Sequence, residues 1–540
     1  MASGSQIMAV KTVAVIGAGA SGLAAIKCCL DEGLEPTCFE KSEDIGGLWR
    51  YKDHSEDDRA SIYKSVIINT SKEMMCFSDF PIPEHFPNYM HNSKIMEYFL
   101  MYAEKFDLLN YIQFKTTVCS IKRSPTFSAT GQWIVTTEKE DKQDVAVFDA
   151  VMICTGHHTF PNLPLYSFPG IENFKGQYLH SRDYKIPDSF KDKRIVVIGI
   201  GNSGGDIAVE LSRTAQQVFL STRRGAWIVN RVSVNGYPVD IAKISRFTSL
   251  LQKALPTVLN YITEKAINNR LNHGNYGLLP QHRYNSQHPT VNDDLPNRII
   301  SGFVQIRPNI KAFTDTGVIF EDGTKEENID AVIFATGYSF SFPFCEESVI
   351  NVKGNKIALY KFMFPYHLEK PTLAVMGLIQ PIGAIMPISE LQSRLATQVF
   401  KGLVQLPSKE SMTIDIVYKK YKMSKRYVES QRHTIQVDYV EYMDELATLA
   451  GVKPNIFRMF FTDPWLALHV FFGPCTPYQY RLTGPGKWSG AREAILTQWK
   501  RIIKPTQTRV LENSTVNMSI PLMLIVCAAL IVLTALFLHF

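Results

Sequence analysis

The sequence predicts an α/β protein with two domains of one kind and an apolar helix at its C-terminal end, and three observations lead there. The phrase VIGAGASGLAAIKCCL at Val15–Leu30 returns almost unchanged as VIGIGNSGGDIAVELS at Val197–Ser212. Two apolar β runs, AVMICTGHH at Ala150–His158 and AVIFATGYSF at Ala331–Phe340, each end in a Thr-Gly turn. The final stretch, SIPLMLIVCAALIVLTALFLHF at Ser519–Phe540, contains no Asp, Glu, Lys or Arg.

The first phrase reads as strand, glycine turn and helix. Val13–Ile16 is an apolar strand; Gly17, Gly19 and Gly22 follow, then a helix, then a second strand ending on Glu40. Gly17 suits a tight turn, Gly19 lets the backbone approach a pyrophosphate, and Gly22 lets the helix pack closely on the strand. The free N–H groups and positive dipole end of the helix favour the same anion. Glu40 stands where a carboxylate accepts from ribose hydroxyls. Just beyond it EDIGGLWRY (Glu43–Tyr51) places Gly46, Gly47, Leu48 and Trp49 as a second backbone cradle.

The second phrase repeats the layout with Gly199, Gly201 and Gly204, its helix opening at Asn202 and Ser203. Its second strand ends differently, on Ser221, Thr222, Arg223 and Arg224. A carboxylate there would repel a 2′-phosphate, whereas a hydroxyl and a guanidinium bind one. The repetition therefore predicts two Rossmann-like dinucleotide-binding domains, the acid-capped one suited to FAD and the arginine-capped one to NADPH/NADP+.

The remaining organisation follows from these anchors. The FAD-binding domain is expected at 9–162 and 339–450, and the NADPH-binding domain, inserted between its halves, at 163–224 and 304–338. Residues 225–303 form an insert, 451–517 a C-terminal helical region, and 518–540 a transmembrane tail anchor. About 20 apolar residues span a bilayer core, and Lys500, Arg501, Lys504 and Arg509 just upstream mark the cytoplasmic side. Within the insert, Ile241, Ile244, Phe247, Leu251, Leu255, Val258 and Ile262 recur at helical spacing with interleaved lysines and arginines. Such a basic amphipathic helix lies in a membrane interface or packs on its own core, and the spacing does not choose.

Composition narrows the class. In 540 residues, 45% are hydrophobic and 20% charged, which is a globular balance, and a net charge of +6 does not imply nucleic acid. Nine cysteines show neither a CxxC pair nor a metal-ligand spacing, which fits a reducing compartment and no metal site. The absence of a redox cysteine pair also argues against a pyridine-nucleotide disulfide reductase.

With these residues in place, the chain resembles the vertebrate flavin-containing monooxygenases over essentially its whole length. FKGQYLHSRDY carries the family's pattern at Phe174, Gly176, His180 and Tyr184, and INTSKEMMCFSDFP (Ile68–Pro81) and FFGPCTPYQYRLTGPGKW (Phe471–Trp488) also match. NDDLPNRIISG (Asn292–Gly302) and KRYVESQRHTIQ (Lys425–Gln436) look most like the fifth-isoform branch.

The resemblance implies that NADPH reduces FAD and that dioxygen adds at flavin C4a. The resulting hydroperoxide then oxygenates a soft nitrogen or sulfur nucleophile of a lipophilic xenobiotic. It implies that Asn69 stands at the reactive flavin edge as the catalytic side chain, with Thr70 beside it. Gln380 falls in the flavin pocket, and His180 positions rather than transfers a proton. It further implies a microsomal enzyme of the endoplasmic reticulum membrane acting on O2 and small substrates; the basic residues before the terminal helix make it cytosol-facing, the membrane reading of the insert would let substrates enter from lipid, and a homo-oligomer is left open. Two other outcomes use the same motifs: Baeyer–Villiger oxidation of ketones, and uncoupled NADPH oxidation that yields hydrogen peroxide.

Overall fold

The structure, a computed structural model, describes residues 10–509. The predicted tail anchor at 518–540 lies outside these residues, and among them no helix is long and apolar enough to cross a membrane.

Ten strands build two parallel sheets. They are β1 (Thr12–Ile16), β2 (Glu35–Phe39), β3 (Ile112–Gln113), β4 (Ala150–Ile153), β5 (Gln177–His180), β6 (Arg194–Ile198), β7 (Gln217–Ser221), β8 (Val304–Arg307), β9 (Ala331–Phe334) and β10 (Leu373–Val375). One sheet runs β10-β4-β1-β2-β3 and the other β8-β7-β6-β9-β5. The register repeats as the sequence does: Ile16 stands opposite Phe39 and Ile153, and Ile198 opposite Ser221 and Phe334. The central strands are apolar and almost fully buried, as both-face burial of a parallel sheet requires.

Each glycine turn opens a helix: α1 (Ala20–Asp31) after β1 and α2 (Asn202–Leu211) after β6. The close approach is obligatory, because a Cβ on Gly22 would collide with the Gly17 carbonyl and one on Gly204 with the Gly199 carbonyl. Both loops thus stand at the carboxyl ends of their strands, where open α/β sheets bind ligands.

The insert differs from the single amphipathic helix that the spacing predicts. It forms α3 (Val239–Lys243), α4 (Arg246–Ala254) and α5 (Pro256–Arg270). Ser245 caps α4 in a capping box with Thr248, and Pro256, which has no N–H to donate, starts a new helix. The apolar positions divide accordingly. Ile241 is buried, whereas Leu255, Val258 and Ile262 are each about half exposed.

The later chain returns to the first domain. Every residue of α6 (Met386–Phe400) is buried, and α6 packs against α1. Its Glu390 accepts from the Ser78 backbone N–H at 2.7 Å and pairs with Arg481 at 2.6 Å, both side chains being out of water. Breaking so buried a pair costs about 3–5 kcal/mol, which ties the C-terminal helices to the first domain. Those helices include α7 (Ile456–Thr462) and α8 (Pro464–Phe472), and the Phe247 ring of α4 packs against Phe471 and Phe472. All eight described cysteines are free. Cys28 and Cys29 are buried in α1, where they act as small apolar residues.

Candidate active site and its dinucleotide cradles

A cavity of about 2660 Å3 connects both glycine loops, well above the roughly 300–1,000 Å3 of an ordinary small-ligand pocket. It is therefore large enough for more than one ligand. Gly17, Gly19, Gly46, Gly47, Leu48, Trp49, Asn69, Thr70, Gly199, Gly201, Asn202, Ser203, Gly204, Thr222, Arg223, Arg224, Glu40 and Gln380 all line it. Gly22 lies behind the first loop, where its role is the close packing described above.

The first cradle is built from two glycine segments in contact. A Cβ on Gly19 would stand 3.6 Å from the Gly47 Cα, so side chains on both segments would fill the gap between them. Gly19 is the N-cap of α1, with no side chain capping the helix and no acidic residue in its first turn. The N–H groups there face the cavity as an anion site. The Glu40 carboxylate is buried and anchored. Its Oε2 accepts from Ala18 N–H at 2.7 Å, and its Oε1 from the N–H and hydroxyl of Ser42 at 2.9 and 2.8 Å. Oε1 thus has both lone pairs engaged, whereas Oε2 keeps a second one for a ribose hydroxyl.

The second cradle repeats this at Gly201, the equally uncapped start of α2. Thr222 turns the chain, its hydroxyl accepting from Gly225 N–H at 3.1 Å, and Arg223 and Arg224 project into the open end of the cavity. Both cradles present uncapped helix starts, with their free N–H groups, to the cavity.

Between them stands Asn69. Its Oδ1 accepts from Arg231 Nη2 at 2.7 Å, and Arg231 is held by Asp293 through its Nη1 and its backbone N–H, each at 3.1 Å. Asp240 at the start of α3 accepts from Ser71 N–H at 2.7 Å, two residues after Asn69. Burial pushes the Asp240 carboxyl above the usual carboxylate range, against the hydrogen bonds from Ser71. In the same region Asp206 of α2 takes the Tyr63 hydroxyl and the Asn292 amide, both at 2.7 Å. Arg231, Asp240, Asp293 and Asp206 surround Asn69 and its loop, and motif reading missed them. The only signal was NDDLP, which carried a resemblance but no role.

His180 is used structurally. Its Nε2 meets the Gly337 carbonyl at 2.9 Å, its Nδ1 accepts from Arg182 N–H at 3.1 Å, and burial holds its pKa below the ordinary value. Tyr184 donates to Glu210 at 2.8 Å.

The flavin-binding monooxygenase-like family model matches residues 10–540. The chain belongs to this family. It is 66% identical to flavin-containing monooxygenase 5 of Oryctolagus cuniculus over 508 residues, covering 94% of this chain and 95% of the relative. Against human flavin-containing monooxygenase 2 the identity is 56% over 528 residues, or 98% of both chains. Among solved structures, the S-allyl-L-cysteine S-oxygenase of Allium sativum shares the fold at TM-score 0.63 and 23% identity, over 91% of this chain and 98% of its own. Cyclohexanone monooxygenase of Rhodococcus sp. Phi1, solved bound to NADP+, does so at TM-score 0.57 and 18% identity, over 82% and 97%. This flavin-binding monooxygenase is an FAD- and NADPH-dependent enzyme with an α/β fold.

Proposed function

We propose that the enzyme oxygenates soft nitrogen or sulfur nucleophiles of small lipophilic molecules that reach it from a membrane surface. We assign FAD to the cradle of Gly17, Gly19, Gly46 and Gly47 with Glu40 on its ribose. NADPH is assigned to the cradle of Gly199, Gly201 and Gly204, with Thr222, Arg223 and Arg224 on its 2′-phosphate. The proposed division of the chain is the one expected from the sequence, with the FAD-binding domain at 9–162 and 339–450 and the NADPH-binding domain at 163–224 and 304–338.

The observation that carries this reading is the placement of Asn69 in the cavity that joins the two cradles, with its carbonyl oxygen held by Arg231. An amide whose acceptor end is occupied presents its N–H2 end as a fixed donor. Bound there, FAD would supply the hydride acceptance from NADPH and the dioxygen activation by which one oxygen atom goes to substrate and the other to water. This chain's residues bind, orient and exclude water: the helix N-termini take the diphosphates, Asn69 donates toward the reacting edge, and buried walls keep bulk solvent away.

Support for membrane delivery comes from the insert. Leu250, Leu259 and Asn260 line the cavity, while Leu255, Val258, Tyr261 and Ile262 of the same helices face outward. Phe457, Phe461 and Trp465 of α7 and α8 extend this apolar surface, since α4 and α7 both pack on α8. An exposed patch of this kind marks a membrane or protein contact. With the apolar tail at 518–540 it would seat the enzyme on the cytosolic face of the endoplasmic reticulum.

The deciding experiment measures NADPH consumed, oxygenated product formed and hydrogen peroxide released with an amine, a sulfide and a ketone. One product per NADPH with amine or sulfide supports the reading. Turnover of the ketone alone would move the enzyme to Baeyer–Villiger oxidation, and stoichiometric peroxide with every substrate would make it an NADPH oxidase.

A further inference from the structure

The cavity holds a cation that neither fingerprint contains. Arg432 lies in a turn at Gln431–His433, far from the second glycine loop in sequence, yet a Cβ on Gly201 would stand 3.2 Å from its Nη1. The guanidinium therefore packs directly on the Gly201 backbone, at the uncapped start of α2. The backbone N–H of Arg432 donates to the Ser430 hydroxyl at 3.2 Å, but among the described residues its guanidinium has no hydrogen bond or ion pair.

Its surroundings supply no counter-charge. Burial alone lowers the Arg432 pKa, with no carboxylate offsetting it. The groups that feel its field are imidazoles: burial and Arg432 push His288 down to about 4, and burial, His157 and Arg432 hold His158 well below its ordinary value. His433 is likewise lowered, mainly by burial, and also feels Arg224 at the end of β7. A half-buried guanidinium on the cavity wall with no carboxylate beside it offers its charge to an anion in the cavity.

The segment is also held in place. His433 Nδ1 meets the Val428 carbonyl at 2.9 Å, and Gln380 N–H donates to the Ile435 carbonyl at 2.8 Å. Just beyond, β12 (Gln436–Asp438) pairs in parallel with β11 (Gln380–Ile382). Residues 430–435 thus cross from the flavin half of the molecule over the second cradle as a strap.

We infer that Arg432 is a phosphate ligand of the nicotinamide dinucleotide, adding its charge to the pyrophosphate site at the α2 N-terminus. This rests on the assignment of NADPH to the second cradle. It adds a contact from outside that cradle, so that the dinucleotide is gripped by both halves of the enzyme. Arg223 and Arg224 would distinguish NADP+ from NAD+, whereas Arg432 would hold the diphosphate that both carry.

Equilibrium titration of the FAD-loaded full chain with NADP+, NAD+ and adenosine 2′-phosphate tests this without turnover. A charge-assisted hydrogen bond is worth about 1.5–3 kcal/mol, so Arg432→Gln is expected to weaken NADP+ and NAD+ by the same factor, about tenfold or more. Adenosine 2′-phosphate binding should be unchanged, and the salt dependence of NADP+ binding shallower. Arg432→Lys should recover part of the affinity, and unchanged flavin content and Tm would show that the strap is intact. NADP+ binding equal to wild type in Arg432→Gln, or equal loss of adenosine 2′-phosphate, would overturn the inference. Failure of the wild type to bind NADP+ at all would instead overturn the cradle assignment and the inference with it.

Discussion

Arg231 Nη2 donates to Asn69 Oδ1 at 2.7 Å across 162 positions of sequence, and the same arginine is held by Asp293. The bond joins the start of the insert to the loop that carries the amide, while Asp293 comes from the insert's end. Both roots of the insert therefore bear on one side chain of the cavity wall.

Replacing Arg231 by Met frees the Asn69 amide to rotate and leaves Asp293 without its cation. A buried charge-assisted bond of about 1.5–3 kcal/mol corresponds to roughly a tenfold or greater loss of transition-state preference. The expected outcome is more hydrogen peroxide and less product per NADPH, with flavin content retained. Unchanged coupling would show that the orientation of Asn69 does not depend on Arg231.

Arg223→Gln and Arg224→Gln address the 2′-phosphate. Both side chains are exposed at the cavity edge, so their loss should leave the fold intact. The ratio of kcat/KM for NADPH over NADH is expected to fall about tenfold or more in the variant that removes the phosphate ligand. Steady-state kinetics with both cofactors would identify which arginine that is.

Gly22→Ala and Gly204→Ala place the same Cβ against equivalent carbonyls in the two domains. Overpacking of this kind typically costs about 1–3 kcal/mol or more and pushes the helix off its strand. Gly22→Ala should yield protein depleted of flavin, visible as lost absorbance near 450 nm. Gly204→Ala should stay yellow but bind NADP+ poorly. If both variants lost flavin equally, the assignment of one cofactor to each cradle would fall.

Asp149 gives a pH signature. Partial burial alone would raise its pKa, but hydrogen bonds from Gln132, Thr12 and Lys11 at 2.9–3.1 Å outweigh that and hold it below the usual carboxylate range. A depressed native pKa contributes stability that is complete above the unfolded value of about 3.9 and is lost as pH falls through the native value. Between pH 5 and 3 the urea midpoint of the wild type should fall more steeply than that of Asp149→Asn, which starts lower. Parallel curves would remove Asp149 from the acid response.

Deleting residues 518–540 should leave a chain that still sediments with anionic liposomes through the exposed face of α5 and α7. Adding Leu255→Asp, Phe457→Asp and Phe461→Asp should then release it, because these side chains are 51%, 77% and 76% exposed and leave little packing to lose. Complete solubility of the deletion alone would show that the insert does not bind membrane.

What the sequence by itself determined lies within short windows. Turn, helix start and terminal residue of each dinucleotide unit sit within about 30 positions, and local backbone sterics dictate their geometry. Hence both glycine loops, Glu40 and the Thr222–Arg224 end were legible, and Asn69 followed from a resemblance in its own segment. The division of the insert into three helices is also encoded, in Ser245 and Pro256, although the apolar period runs unbroken across both through Ile262. Only the tertiary structure decided the partners. Arg231 reaches Asn69, Asp240 reaches Ser71, and Arg432 reaches Gly201 because chain return brings distant segments to one cavity, and a lone arginine or aspartate carries no mark of which surface it will meet. Periodicity finds the face a helix turns inward; it does not say what stands opposite.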